Sequence, residues 1–549
     1  MEMMKTMRYI LLTLALATTC GIVRAQEGFT KQIEVQKEYE VVVRSAERIE
    51  SDVRLLDTTI VRPELTYRIR PTAHLTNFST SALRPVALST ARWDVPRKLY
   101  LNVGAGLPLQ SEVDIYWSPV QNDRNHLMVW LNHEGSEGRV TNLDNERVSA
   151  LTLRNQAGVR YAALLGESTS LTTGVKYRGT LGNAYGGVGT VDQNPFVSVN
   201  DVEATANLTG SMGAKLGYDA NLMGLYAMNN MGESVWRFNV NYGLVGLNKI
   251  KGWLPSKVTL HWSGVESTCA EPYYDTSVTF VPEWGFRIGK WVPVEILAGY
   301  DYMIYKGAKN TLDGVITSIG ASFDKYPAVV PYFTVSNDVQ TKCTREALWT
   351  NPYMHMVHPD TRKIFLTEVG VKGEVGELTY KLSGASRWFS AYMFEVVVEG
   401  DPLLAYGKSV GQRVWYADAE LSWRPVQRFS LEGRVSFQSF GKAQKATAEF
   451  RPRRWNIEGE AVWMPLDRLT IVARGAFRSA MGVTKVSGSG AELIEMPSYF
   501  DLGLEASWRW SERVNVWLRG DNLLNQPIYH WATYRALGAG VRMGVSMTF

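Results

Sequence analysis

Over much of the chain, apolar and polar residues alternate one for one. Phe500, Leu502, Leu504, Ala506, Trp508 and Trp510 fall on one side of a segment whose other side carries Asp501, Gly503, Glu505, Ser507 and Arg509. At the end of the chain, Leu537, Ala539, Val541, Met543, Val545, Met547 and Phe549 alternate with Gly538, Gly540, Arg542, Gly544, Ser546 and Thr548. The same two-residue period marks the stretches around Leu216–Leu222, Trp236–Leu244, Phe429–Phe437, Trp455–Trp463 and Leu469–Phe477. Side chains leave a strand on alternate faces, so each stretch predicts a β-strand with one apolar and one polar face. Strands of soluble sheets average about five or six residues. These run to about 10–13, the length a tilted strand needs to cross a bilayer.

The connections carry the next signal. Short polar turns at 510–513, 464–468, 424–428, 375–377, 325–327 and 289–293 alternate with longer polar stretches at 525–536, 480–496, 441–449, 399–410, 339–361, 306–312 and 266–275. Bacterial barrels join strands by short turns on the periplasmic side and long loops outside. Trp253, Trp291, Trp423, Trp463 and Trp510 all lie beside predicted periplasmic turns, where an aromatic girdle belongs. Residues 98–549 are therefore expected to form an all-β, transmembrane antiparallel β-barrel of about 22 strands, with residue 549 on the periplasmic side.

Export agrees with this. Lys5 and Arg8 precede the apolar run Tyr9–Thr19, and Val23-Arg24-Ala25 gives a cleavage site, so residues 1–25 read as a signal peptide. Residues 26–97 then form an N-terminal periplasmic or lumenal segment. The 549 residues are 45% hydrophobic, too apolar for a disordered chain. The mean hydropathy of −0.15 is too low for a helical membrane bundle. A net charge of +4 leaves no broad basic surface for nucleic acid.

The last three strands resemble the barrel end of TonB-dependent receptors. The likeness rests on Tyr499-Phe-Asp-Leu-Gly-Leu-Glu505, on Val514-Asn-Val-Trp-Leu-Arg-Gly-Asp-Asn-Leu-Leu-Asn525, on Tyr529, and on the dyad ending Gly538-Ala-Gly-Val-Arg-Met-Gly-Val-Ser-Met-Thr-Phe549. It implies a location in the cell outer membrane, contact with outer-membrane lipids, and an assembly signal at Phe549 read by the barrel assembly machinery. It also implies receptor or transport function. The chain departs from the family in front of the barrel. Residues 26–97 are too short for a full plug domain, and Glu38-Tyr-Glu-Val-Val-Val43 only vaguely resembles the box that recruits the energy-coupling protein, so energised uptake is not implied.

No zinc-protease helix, Cys-x-x-Cys pair, phosphate loop or nucleophile elbow is present, so no enzyme, cofactor or metal is expected. Ser487-Gly-Ser-Gly490 reads as a flexible loop. His355, His358 and Asp360 would suit Zn or Cu chemically, yet their spacing matches no closed site and reads as an exposed loop. Tyr273, Tyr274 and Tyr353 are candidates for an extracellular aromatic contact surface. Arg434, Glu458, Glu460, Arg474, Asp501, Glu505 and Arg519 fall on the polar faces of neighbouring strands and predict a lumen charge ladder of mixed sign. Such a ladder stiffens a wide wall and gives no single-sign field to select an ion. Two functions follow: a receptor or channel-like barrel that binds or passes solutes, or a non-transporting scaffold that docks other outer-membrane or periplasmic proteins.

Signal cleavage removes Cys20 and leaves Cys269 and Cys343 as the only thiols, in an oxidising compartment and in two predicted outer loops separated by a short one. A disulfide between them is expected, worth at most roughly 3–4 kcal/mol in the loop-entropy account. Thiol counting on unfolded, unreduced protein should find none free, and two per chain would remove the bond.

Overall fold

The structure is a computed structural model that describes residues 98–188, 195–268, 273–306, 314–340, 351–355 and 362–549. The signal peptide, residues 26–97, the segment 38–43, Cys269, Cys343, His358 and Asp360 lie outside the described residues.

Twenty-two antiparallel strands form the wall. In chain order they are β1 (Leu99–Leu107), β2 (Gln110–Gln121), β3 (Asn125–Thr141), β4 (Arg147–Leu165), β5 (Thr169–Asn183), β6 (Phe196–Met212), β7 (Leu216–Asn229) and β8 (Ser234–Val245). Then follow β9 (Lys257–Ser267), β10 (Tyr273–Ile288), β11 (Val292–Lys306), β12 (Gly314–Ser322), β13 (Val330–Gln340), β14 (Arg362–Val375), β15 (Leu378–Val398) and β16 (Leu404–Val426). The last six are β17 (Phe429–Phe440), β18 (Trp455–Leu466), β19 (Leu469–Arg478), β20 (Tyr499–Arg509), β21 (Val514–Asp521) and β22 (Gly540–Thr548). Each strand pairs with its chain neighbours. β1 also pairs with β22, from Tyr100↔Thr548 to Leu107↔Val541, so the sheet has no free edge.

The alternation read from the sequence sorts the two faces. Val103, Leu131, Val175, Leu222, Phe280, Val369, Leu504 and Met543 point outward and are exposed, while Asn102, Arg178, Asp201 and Thr334 point inward and are buried. A continuous apolar outer surface of this size would aggregate in water and is satisfied by lipid. Trp253, Trp291, Trp423, Trp463 and Trp510 line the short-turn end, and Phe196, Trp236, Trp455 and Phe500 stand on the outer face near the other end. On β18, Trp455 and Trp463 are eight residues apart, about 26 Å along the strand. That is close to the height of the lipid-facing band of such barrels.

Two predicted loops turn out to be structured. Residues 481–496 form a hairpin, Met481–Ser487 with Gly490–Met496, and Ser487–Gly490 is its turn. β16 starts at Leu404, inside the predicted loop 399–410, so β15 and β16 are 21 and 23 residues long. They rise above the membrane band because they pair with each other as far as Val397↔Leu404 and with the hairpin at Val397↔Lys485 and Val398↔Val486. Val397 is buried in one cluster with Val483 of the hairpin, and Phe394 stacks on Phe450, which pairs with Val483, so the extended ladder has packing to sustain it.

At the closing seam, the Trp517 indole lies across Gly104 and Gly544 and donates from Nε1 to Asn102 Oδ1 at 2.8 Å. Asn102 in turn donates to Glu112 and Asp114, both at 2.9 Å. A side chain at 544 would strike the indole and come within 2.5 Å of Val103 O. Gly544→Val should therefore cost about 1–3 kcal/mol by overpacking. The expected result is a smaller fraction of the compact, heat-modifiable form on semi-native gels, with Trp517→Phe retaining more of it.

Candidate functional site

The lumen and its outer mouth bring together most of the polar chemistry. The predicted ladder residues all face inward, as their register requires: Glu420↔Arg434↔Glu458, Glu460↔Arg474 and Glu505↔Arg519 are cross-strand partners. Asp501 stands opposite Ala476. Arg434 lies 3.6 Å from both Asp418 and Glu420, and Glu458 pairs with Arg478. The longest run crosses the seam. Glu460 meets Arg474 Nε at 2.9 Å, Arg474 meets Glu505 at 3.3 Å, and Glu505 meets Arg519 Nε at 3.0 Å. Arg519 reaches Glu112 at 3.2 Å, Glu112 is 3.4 Å from Arg542, and Arg542 ends on Asp521 at 2.7 Å. Glu112, Arg519 and Arg542 are nearly dry, and each has more than one opposite charge in reach, so the loss of one partner leaves the others paired. Sequence reading missed Glu112 and Arg542. Their partners lie at the opposite end of the chain, and only closure makes them neighbours.

The outer mouth is bridged. The loops after β5, β13 and β21 stand eight, eight and six strands apart around the ring, and each sends a tyrosine to the same point. Tyr353 stacks on Tyr534 with ring centroids 3.9 Å apart and planes 14° apart. Tyr185 meets Tyr534 edge-on at 5.2 Å, and Trp531 packs on Tyr353 at 5.5 Å. Gly186 has no side chain to obstruct the Tyr534 ring. Val140, Val188, Met354, Val397, Leu404, Val483 and Ala532 complete an apolar cluster fed by six different connections. Burial pushes the hydroxyls of Tyr185, Tyr353 and Tyr534 up, so they stay protonated. Tyr185 donates to Arg535 O at 2.8 Å, and Tyr534 donates to Pro402 O at 2.6 Å. The Glu395 carboxylate accepts from Asn351 Nδ2 at 2.9 Å and from the Ala532 N–H at 2.8 Å, binding two loops to β15.

Tyr353 corrects the sequence reading. It is 1% exposed and belongs to the interior of this cap, so it offers no contact surface. Alternation carries no information about loops that fold on one another, which is why the cap was missed. His355, the described member of the His-His-Asp group, is engaged by carboxylates: Nε2 is 2.9 Å from Asp401 and Nδ1 is 3.4 Å from Glu233.

No protein-family model matches the chain, and no curated protein matches it in sequence. Solved structures do. The chain is similar to the FrpB iron transporter from Neisseria meningitidis, with 12% identity over 83% of this chain and 82% of that one, at a TM-score of 0.66. It is similar to a mutant of the ferric enterobactin receptor PfeA from Pseudomonas aeruginosa, with 9% identity over 83% and 81%, at 0.61. The siderophore receptor PiuA from Acinetobacter baumannii gives 12% identity over 83% and 82%, at 0.60. The fold is that of the TonB-dependent receptor barrel. Identities this low establish architecture and leave ligand and partner open.

The cap has a pH-sensitive clasp. The hydrogen bond to Glu233 raises the His355 pKa against the opposing effect of burial, and Asp401 adds to it, pushing it up to about 9. A group raised in the folded state stabilises fully below its unfolded value near 6.5 and loses that contribution as pH climbs through the folded value. Raising pH from 7 to 10 should therefore lower the protection of the amides at 351–355 and 401–404, measured against their intrinsic base-catalysed exchange rates. His355→Gln should show the lower protection already at pH 7 and little further change with pH.

Proposed function

We propose that the protein is an outer-membrane receptor-like barrel whose lumen binds or passes solutes and whose outer mouth is closed at rest by the loop cap. The observation that carries this reading is the cap itself. Three arcs of the ring meet in a buried aromatic cluster above a polar lumen, an arrangement that shuts a wide conduit. In this reading residues 1–25 are the export signal, residues 26–97 serve at the periplasmic mouth or inside the lumen, and Phe549 contributes to recognition by the barrel assembly machinery. The seven ladder residues stiffen the wall, and a Cys269–Cys343 bond would tie two outer loops. The neighbours named above are transporters and receptors, which supports solute handling rather than catalysis.

A second reading has its own observation. β15, β16 and the 481–496 hairpin raise one side of the wall above the membrane, a shape suited to holding a partner protein in a non-transporting scaffold.

Planar-bilayer recording distinguishes the two. Wild-type protein should be closed for most of the record. A Tyr353→Ala/Tyr534→Ala variant, which removes the stacked pair, should show frequent large openings, with vancomycin sensitivity rising in cells that express it. A folded variant that stays as silent as wild type when residues 26–90 are deleted as well would remove the capped-conduit reading and leave the scaffold.

A further inference from the structure

On the lumen face of β3–β7, residues of five consecutive strands line a half-open cavity of about 290 Å³. Its floor is made by an aromatic ring on a glycine. A Cβ at Gly158 would lie 2.6 and 2.7 Å from Trp130 Cη2 and Cε2 and nearer still to Cζ2 between them. Both flanking atoms are only slightly farther away than Cζ2, which an approach in the ring plane would not allow, so the position lies over the ring face, and the indole lies flat on the wall and turns its other face to the lumen. Gly174, next to Arg160, adds no side chain and leaves the hollow open. The rim follows from register: Gly158↔Lys176↔Glu203 on one row, and Thr172↔Asn207↔Asn221 on another. Trp130, Asn207 and Asn221 each lie five residues from the periplasmic end of their strands, so they stand at one height in the wall.

The chemistry of this rim is mixed. Arg160 and Lys176 donate, Glu203 accepts, and the asparagine amides do both. Asn207 and Asn221 both line the cavity, while the Asn207 Oδ1 itself is turned into the wall. A flat apolar platform surrounded by groups that both give and take hydrogen bonds suits a ligand with a C–H face and a belt of hydroxyls. A pyranose ring is such a ligand, and a simple anion would leave the indole unused and face Glu203.

We propose that this cavity is a saccharide-binding subsite in the periplasmic part of the lumen, with Trp130 stacking under a sugar ring and Asn221 and Glu203 accepting from its hydroxyls. The proposal names a solute class for the lumen and so rests on the solute-handling reading, yet binding is measured separately from conduction.

The test is saturation-transfer difference NMR on the full chain in detergent, with maltotriose, laminaritriose and chitotriose as probes. At least one should show saturation concentrated on its ring C–H protons. Trp130→Ala should weaken binding about ten-fold or more and Asn221→Ala by about five-fold, in line with the loss of an aromatic contact and of one hydrogen bond. Trp117→Ala, a lipid-facing tryptophan, should leave it unchanged. Heat-modifiable mobility reports whether each barrel is closed, and Trp130→Phe keeps a ring at the site should the alanine variant fail to fold. No signal from any of the three sugars on a closed wild-type barrel, or a signal that survives in folded Trp130→Ala and is undiminished in Trp130→Phe, overturns the subsite. Binding by a protein that stays silent after removal of the cap and of residues 26–90 would keep the subsite and remove the conduit.

Discussion

Hydrocarbon offers no hydrogen bonds, so a sheet that crosses it must leave no backbone group unpaired. That requirement can be met only by joining the first strand to the last, and much of the inner wall serves the joint. β1 and β22 exchange a full ladder, Trp517 fits across the glycines on either side of the seam, and its N–H meets Asn102, which is already held by Glu112 and Asp114. The Glu460-to-Asp521 ion-pair run is most buried where it passes this joint. Charges there are paired, directional contacts between strands from opposite ends of the chain.

The wall was legible in the sequence because its physics is local. Alternation of Trp236 with Arg237, or of Met543 with Arg542, reports a lipid face and a wet face whatever the neighbouring strand is. Length reports the bilayer, and the tryptophans beside short turns report its boundary. The ladder residues were readable for the same reason. Pairing across the seam was not, since nothing near Glu112 points to Arg519 or Arg542. Nor was the cap: Tyr185, Tyr353 and Tyr534 sit in three polar-looking connections with no shared period, and their stacking depends on the ring bringing them over one point. The height of β15 and β16 was hidden because their upper residues pack on a hairpin and no longer alternate against lipid.

The two ends of the lumen differ in kind. The outer end is apolar, aromatic and tightly hydrogen bonded, with tyrosines that stay neutral and a Glu395 carboxylate shared between loops. The wall below is a mixture of charges and amides, with glycines placed where rings lie flat. Trp517 and Trp130 use the same local device, an indole pressed on a residue without Cβ, for opposite ends: Trp517 is enclosed and holds a seam, whereas Trp130 keeps one face open to the lumen.

The cap also has a mechanical side. A sheet rolled into a ring this wide resists shear along its hydrogen bonds but bends easily between strands, so its outline can flatten from circle to ellipse at little cost. Loops anchored eight, eight and six strands apart and joined at a common hub work as spokes. They limit that flattening, and releasing them softens the outline of the whole rim at once. In the capped-conduit reading, opening of the mouth and loss of roundness would be a single event, and a load applied to any one arc of the wall would be felt by the other two through the tyrosines at the hub.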